Sequence, residues 1–144
     1  VQITEGERLV MALLGIMRQL KAVAALRCEP GTAVFLLHHM TVPRRVSDLA
    51  TCAGLDTSTV SRHVKALEDA GLLSRAEDPA DRRAWRLEIT PAGRELLVDT
   101  RRAWADVVGG ATVDWSAADR AALTNLMTRL AGSMDRLAAE MENG

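Results

Sequence analysis

Cysteine and lysine occur only twice each in this 144-residue chain, and tyrosine does not occur at all. The two cysteines, Cys28 and Cys52, stand far apart, with no C-x-x-C pair and no Cys/His cluster at zinc spacing. Neither a disulfide framework nor a metal site is signalled, and both thiols read as small apolar residues. No apolar run approaches the roughly 18 residues that a membrane span needs, and no basic-then-apolar signal pattern opens the chain. A soluble cytoplasmic protein without a membrane partner is therefore expected. The sequence also lacks a phosphate-cradling glycine loop, a nucleophile elbow and a metal motif, so no catalytic residue, cofactor or enzymatic activity is expected. The net charge of −1 argues against an indiscriminately basic nucleic-acid binder. It leaves a local basic surface open, because steering depends on where charges sit.

What is present is an ordinary globular composition, 48% hydrophobic and 26% charged, at the usual length of one domain. A chain this long buries about two-thirds of its unfolded surface without staples. Arginine supplies 16 of the 18 basic residues. That bias alone reads as genomic base composition, so placement has to carry any functional meaning.

Apolar side chains recur at Leu9, Leu13, Ile16, Leu20 and Val23, in steps of 4, 3, 4 and 3, predicting a helix over about 7–27. Glu29-Pro30-Gly31 interrupts it, and a second helix is expected from about Thr32 to His39, mostly buried through Val34–Leu37. Val46, Leu49, Ala50 and Ala53 follow helical spacing, with Ser47 as the expected cap and Gly54 as the stop. Leu55 anchors the turn, and Asp56 is the expected N-cap of a further helix that buries Val60, Val64 and Leu67 and ends at Gly71. The period then switches to alternation. Leu72–Glu77 and Ala84–Ile89 read as two strands around a charged loop, Asp78–Arg83. Thr90-Pro91 opens a helix expected to stop at Gly109-Gly110, and Ser116 with Asp119 opens the last one. There Leu123, Met127, Leu130, Met134, Leu137 and Met141 step by 4, 3, 4, 3 and 4.

Two short helices joined by a tight turn and followed by a two-stranded wing suit DNA, the second helix entering the major groove while the first braces it. Ser58, Thr59, Ser61, Arg62, His63 and Lys65 supply hydroxyl, imidazole and cationic groups for that helix. Arg62 suits a bidentate contact to guanine, and the hydroxyls suit phosphates or bases. The loop tip with Asp81, Arg82 and Arg83 can reach an adjacent minor groove. Between residues 44 and 86 eight basic residues oppose seven acidic ones. Affinity must therefore come from arginines held forward.

Ser58–Leu73, together with Asp78–Arg83 and Leu87–Gly93, resembles the recognition helix and wing signature of the MarR family of winged helix-turn-helix transcription regulators. The two blocks span about 36 residues, and the flanking helices extend a weaker resemblance over the whole chain. The implied fold is mainly α (α+β), a winged helix-turn-helix with a two-stranded wing and long flanking dimerisation helices. One domain over 1–144 is expected, with a winged-helix DNA-binding lobe at about 32–90 and a helical dimerisation region at about 7–27 and 91–141.

The resemblance further implies a homodimer on double-stranded DNA with a palindromic operator, repression as the regulatory outcome, and Asp81 and Arg83 as the wing's D-x-R. In that motif the arginine enters the minor groove and the aspartate braces the wing's basic side chains. Release by a small aromatic or anionic effector is also implied, with Arg18, His38, His39 and Trp104 as pocket candidates by helix position; the histidines, and Trp104 still more, read rather as packing residues. Some relatives sense oxidants through a first-helix cysteine supported by tyrosines. Cys28 lies after that helix and tyrosine is absent, so neither Cys28 nor Cys52 is assigned that role. The competing reading is a winged-helix protein-interaction module that has lost DNA binding, which the forward arginines disfavour.

Overall fold

A computed structural model of the chain describes residues 2–26 and 31–143. Cys28 and the expected break at Glu29-Pro30 fall outside the described residues. Six helices and a hairpin follow in the order α1 (Glu5–Leu26), α2 (Gly31–Leu37), α3 (Val46–Ala53), α4 (Thr57–Asp69), β1 (Leu73–Asp78), β2 (Asp81–Ile89), α5 (Pro91–Ala111) and α6 (Ala117–Glu142). The chain divides into two compact units, Val1–Asp99 and Thr100–Gly144.

The first unit holds the core. Leu36 and Leu37 of α2, Leu49 of α3, Val60 and Val64 of α4 and Leu87 of β2 are all essentially sealed from solvent. Leu55 packs against this cluster from the α3–α4 turn. That turn is possible because Gly54 adopts φ 65°, where a side chain would be strained, and its N–H closes α3 onto Ala50 and Thr51. Burial in α2 is less complete than its unbroken apolar run suggested, because Phe35 is half exposed. Helix α3 begins at Val46 behind Arg45, which makes no side-chain cap. Ser47, the expected cap, lies inside the first turn.

The hairpin is antiparallel, with Leu73 opposite Ile89 and Glu77 opposite Trp85. Its loop is shorter than the alternation suggested. An irregularity after Glu77 lets Asp78 pair with Asp81, so that Arg82 and Arg83 already belong to β2. Arg44 adds an antiparallel bridge to Leu87 through bonds of 3.1 and 2.7 Å. Thr90 ties the next element down: its hydroxyl donates to the Gly71 carbonyl at 2.6 Å and accepts the Gly93 N–H at 3.1 Å. Gly93 itself is buried against Leu72 and Ile89.

Helix α1 starts two residues before the expected position, capped by a reciprocal pair in which Glu7 accepts the Thr4 N–H at 2.7 Å and Thr4 accepts the Glu7 N–H at 3.2 Å. None of its residues is buried. It is long and apolar enough to cross a membrane by length and composition, with a mean hydropathy of 1.7 over 18 residues. The expectation that no segment approaches that length is corrected here. No unbroken apolar run reaches that length, but leucine, isoleucine, valine, methionine and alanine on both sides of Arg18 keep the average high.

In the second unit α5 runs through Gly109 and Gly110 to Ala111, past its expected stop. Glycine costs about 1 kcal/mol in a helix without forbidding it. The helix closes with tightened bonds, the Thr112 and Val113 N–H groups donating to the Gly109 and Gly110 carbonyls at 3.3 and 3.4 Å. The Thr112 hydroxyl takes Val108 at 2.8 Å, and Arg120 reaches the carbonyls of Thr112 and Trp115 at 3.2 and 2.9 Å. Ser116 then caps α6 by accepting the Asp119 N–H at 3.0 Å. The stripe from Met127 to Met141 is exposed at every step, 40% at Leu130 and 76% at Met141.

Candidate nucleic-acid interface

Helix α4 is amphipathic, and its buried Val60, Val64 and Leu67 fix which face points outward. Ser58, Ser61, Arg62 and Lys65 are exposed, whereas Thr59 and His63 are half-buried. The helix is nucleated by Asp56, as expected, and the cap is unusually dense. One carboxylate oxygen takes the Thr59 N–H at 2.8 Å and the Ser58 hydroxyl, while the other takes the Thr59 hydroxyl at 2.6 Å. These bonds, the Ser58 hydroxyl first, hold the Asp56 carboxyl well below the usual carboxylate range. Arg62 keeps most of its donors unspent, with one long contact of 3.4 Å to the Thr59 hydroxyl. Lys65 faces Asp69 at 3.5 Å across solvent, a pair worth little.

The wing tip carries Asp81, Arg82 and Arg83, all exposed. Asp81 caps its own turn by accepting the Arg83 N–H at 3.0 Å. The carboxylate that grips arginine side chains is instead Asp78, three residues earlier. Its side chain is fully buried and pairs with Arg45 at 2.7 Å and Arg86 at 3.1 Å. Its second oxygen accepts the Ala80 N–H at 2.9 Å. That backbone bond, followed by the two guanidiniums, lowers the Asp78 carboxyl to about 2 against the opposing effect of burial. The bracing role that family resemblance gives to Asp81 is therefore played here, for side chains, by Asp78. Asp-Pro had marked only a turn, and Arg45 lies 33 residues away in sequence, so spacing gave no signal of the pair. Arg75 joins the hairpin to the end of α4 through Glu68, at 2.6 and 3.2 Å. Trp85, half exposed on β2 opposite Glu77, was placed in its strand by alternation but not singled out.

Of the effector candidates, Arg18, His38 and His39 lie in the first unit and Trp104 in the second. Arg18 and His38 are exposed, and His39 is half-buried in edge-on contact with Phe35 at 5.0 Å between ring centres. The His39 Nε2 atom is buried without a hydrogen-bond partner among the described residues. Trp104 is half-buried and belongs to the second unit. A cavity of about 190 Å³ in the first unit is lined instead by Met40, Thr41, Val42, Pro43, Glu88, Ile89 and Arg94. Cys52 is exposed on α3. Among the described residues no group of three or more His, Cys, Asp or Glu is placed to hold a metal.

Residues 32–84, from α2 to the wing, match the MarR family model. The uncharacterized HTH-type transcriptional regulator YxaD of Bacillus subtilis is 33% identical over 88 residues, 61% of this chain and 62% of that protein. The helix-turn-helix and wing segment of the chain is thus similar to the MarR family. The crystal structure of transcriptional regulator Tm0710 from Thermotoga maritima shares 28% identity over 90% of this chain and 94% of that one, with a TM-score of 0.64. A crystal structure of MarR aligns at 25% identity and a TM-score of 0.68, covering 88% and 98% of the two chains. The fold is thus the mainly helical winged helix-turn-helix expected from sequence. The chain spans between 51% and 62% of the length of the curated relatives it matches.

Proposed function

We propose that this chain is a sequence-specific DNA-binding transcription regulator of the MarR type, in which α4 reads the major groove and the wing tip enters the flanking minor groove. The observation that carries this reading is the outward face of α4. Ser61, Arg62 and Lys65 stand exposed on a helix locked by three buried side chains, with Arg82 and Arg83 exposed on the hairpin that follows. Arginine offers a rigid fork of donors that matches guanine's O6 and N7, and arginine in a narrow groove is held by its negative potential. Ser58, Thr59 and His63 lie on the same helix and complete the contact set, while Asp81 shapes the tip.

The working unit in this reading is a homodimer on a palindromic operator, acting as a repressor in the cytoplasm where the DNA is. The support is the apolar surface that one copy leaves uncovered: α1 buries none of its residues, and the stripe of α6 is exposed from Leu126 to Met141. Large exposed apolar patches mark association surfaces. A second copy also accounts for α1 better than a lipid phase does, because Arg18 and Lys21 interrupt it. The dimer would set two α4 helices about one DNA turn, roughly 34 Å, apart. Release by a small aromatic or anionic effector belongs to the same proposal, with Arg18, His38, His39 and Trp104 as the residues to test.

The deciding experiment is a mobility shift on duplexes selected by the protein from a random library, at low salt. Wild type is expected to enrich an inverted repeat, and Arg62→Ala and Arg83→Ala are each expected to weaken binding. No enrichment, or variants that bind like wild type, would point to the protein-interaction module instead.

A further inference from the structure

We propose that Asp78 is a positioning residue that sets the wing against the helix-turn-helix, so that the tip arginines contribute to DNA binding only while its carboxylate is in place. The inference rests on the DNA-binding reading above. A fully buried carboxylate is costly unless it is matched by charge and hydrogen bonds. Asp78 is matched from three directions. Arg45, the residue that precedes α3, brings Nε at 2.8 Å and a terminal nitrogen at 2.7 Å. Arg86 approaches from β2 at 3.1 Å, and the Ala80 N–H comes from the turn itself at 2.9 Å. One side chain thereby ties the entry of the first helix of the pair, the second wing strand and the turn that presents Arg82 and Arg83.

The other charges near this clamp are Asp48 in the first turn of α3 and Asp81 at the tip, both felt by Arg45. Among the described residues neither pairs with Arg45 or Arg86, whereas Asp78 pairs with both and makes the link. The remaining attachment of that strand, the Arg44 bridge to Leu87, lies further from the tip. Without Asp78 the tip would be held only by its own turn and by the pairing of β1 with β2, with no side-chain tie to the entry of α3. An exposed loop ordered from one end spends binding energy on ordering, and its arginines lose their preorganised reach.

The test is a double-mutant cycle, read by fluorescence anisotropy on a labelled duplex selected by the wild-type protein. In the wild-type background Arg83→Ala is expected to weaken binding about tenfold or more, the loss of one charge-assisted contact. In the Asp78→Asn background the same change should cost less than about twofold, while Arg62→Ala should cost the same factor in both backgrounds. Far-UV circular dichroism establishes that Asp78→Asn is folded. Should it fail to fold, Arg45→Gln breaks the same link from its solvent-exposed end and gives the same cycle. If Arg83→Ala costs an equal factor in folded Asp78→Asn or Arg45→Gln, Asp78 is a fold element only and the proposal falls. If Arg83→Ala has no effect in wild type while Arg62→Ala does, the proposal also falls, and the DNA reading survives on α4. If wild type retains no duplex, both fall together.

Discussion

Replacing Gly93 by alanine should destabilise this protein even though glycine is a poor helix former and the site lies in the first turn of α5. A methyl group built there meets the Leu72 carbonyl oxygen, stands 2.7 Å from Ile89 Cγ1 and 3.2 Å from the Leu72 carbonyl carbon. Ordinary contacts begin near 3.4 Å, so the start of α5 must retreat. It cannot do so freely. Thr90 anchors it to the α4–β1 turn through its hydroxyl at 2.6 Å and its own N–H to Leu72 at 3.1 Å. Helix propensity favours the alanine by about 1 kcal/mol. Overpacking costs about 1–3 kcal/mol, and each hydrogen bond strained in the retreat about 1 kcal/mol more. The expected net loss is therefore about 1–3 kcal/mol, or a Tm lower by about 3–10 °C for a chain of this size. Gly109, in the same helix, meets nothing within 4 Å, so Gly109→Ala should instead gain about 0.5–1 kcal/mol. Thermal melts of both variants and wild type, at one protein concentration because association shifts Tm, decide the matter. A Gly93→Ala protein as stable as Gly109→Ala would refute the packing argument.

Leu49→Ala empties a fully buried site between α3 and the rest of the core and should cost about 2–5 kcal/mol in urea unfolding. Asp78 gives a pH signature. Its carboxyl is lowered from 3.8 to about 2 in the folded protein, so its contribution to stability is complete above about 4 and is lost as pH falls toward 2. The stability difference between wild type and Asp78→Asn, followed by urea unfolding, should shrink over that window and stay constant above it. Leu130→Asp combined with Leu137→Asp places charge on the exposed stripe of α6 and should halve the mass in sedimentation equilibrium; an unchanged dimer mass would move the interface elsewhere.

The elements legible in the sequence are those whose signal is local. Asp56, Gly54 and Ser116 announce helix ends through their own side chains or lack of one, and the 3.6-residue spacing of Val60, Val64 and Leu67 fixes the buried face of α4. What escaped depends on distance or on competition. The Asp78–Arg45 pair joins residues far apart in the chain, and no periodicity reports such a contact. Gly109-Gly110 reads as a stop by propensity, whereas α5 continues to Ala111 and closes when the Thr112 and Val113 N–H groups turn to the Gly109 and Gly110 carbonyls. Ser47 has the residue type of a cap, but the N-cap position is taken by Arg45, whose side chain goes to Asp78, and the helix starts two residues earlier than a Ser47 cap would set it. The apolar character of α1 escaped for a different reason: a run broken by charges can still average apolar.

The Asp56 cap has a consequence for what the tip of α4 can say to another molecule. A hydroxyl has a single proton to give. Ser58 and Thr59 both give theirs to the Asp56 carboxylate. Toward solvent each is left with lone pairs only, so these two positions, which by residue type alone suit phosphate oxygens, are wired as acceptors. A phosphate offers them nothing to accept, whereas the exocyclic amino groups of adenine and cytosine do. One aspartate thus turns two chemically ambivalent side chains into groups of fixed polarity before any partner arrives.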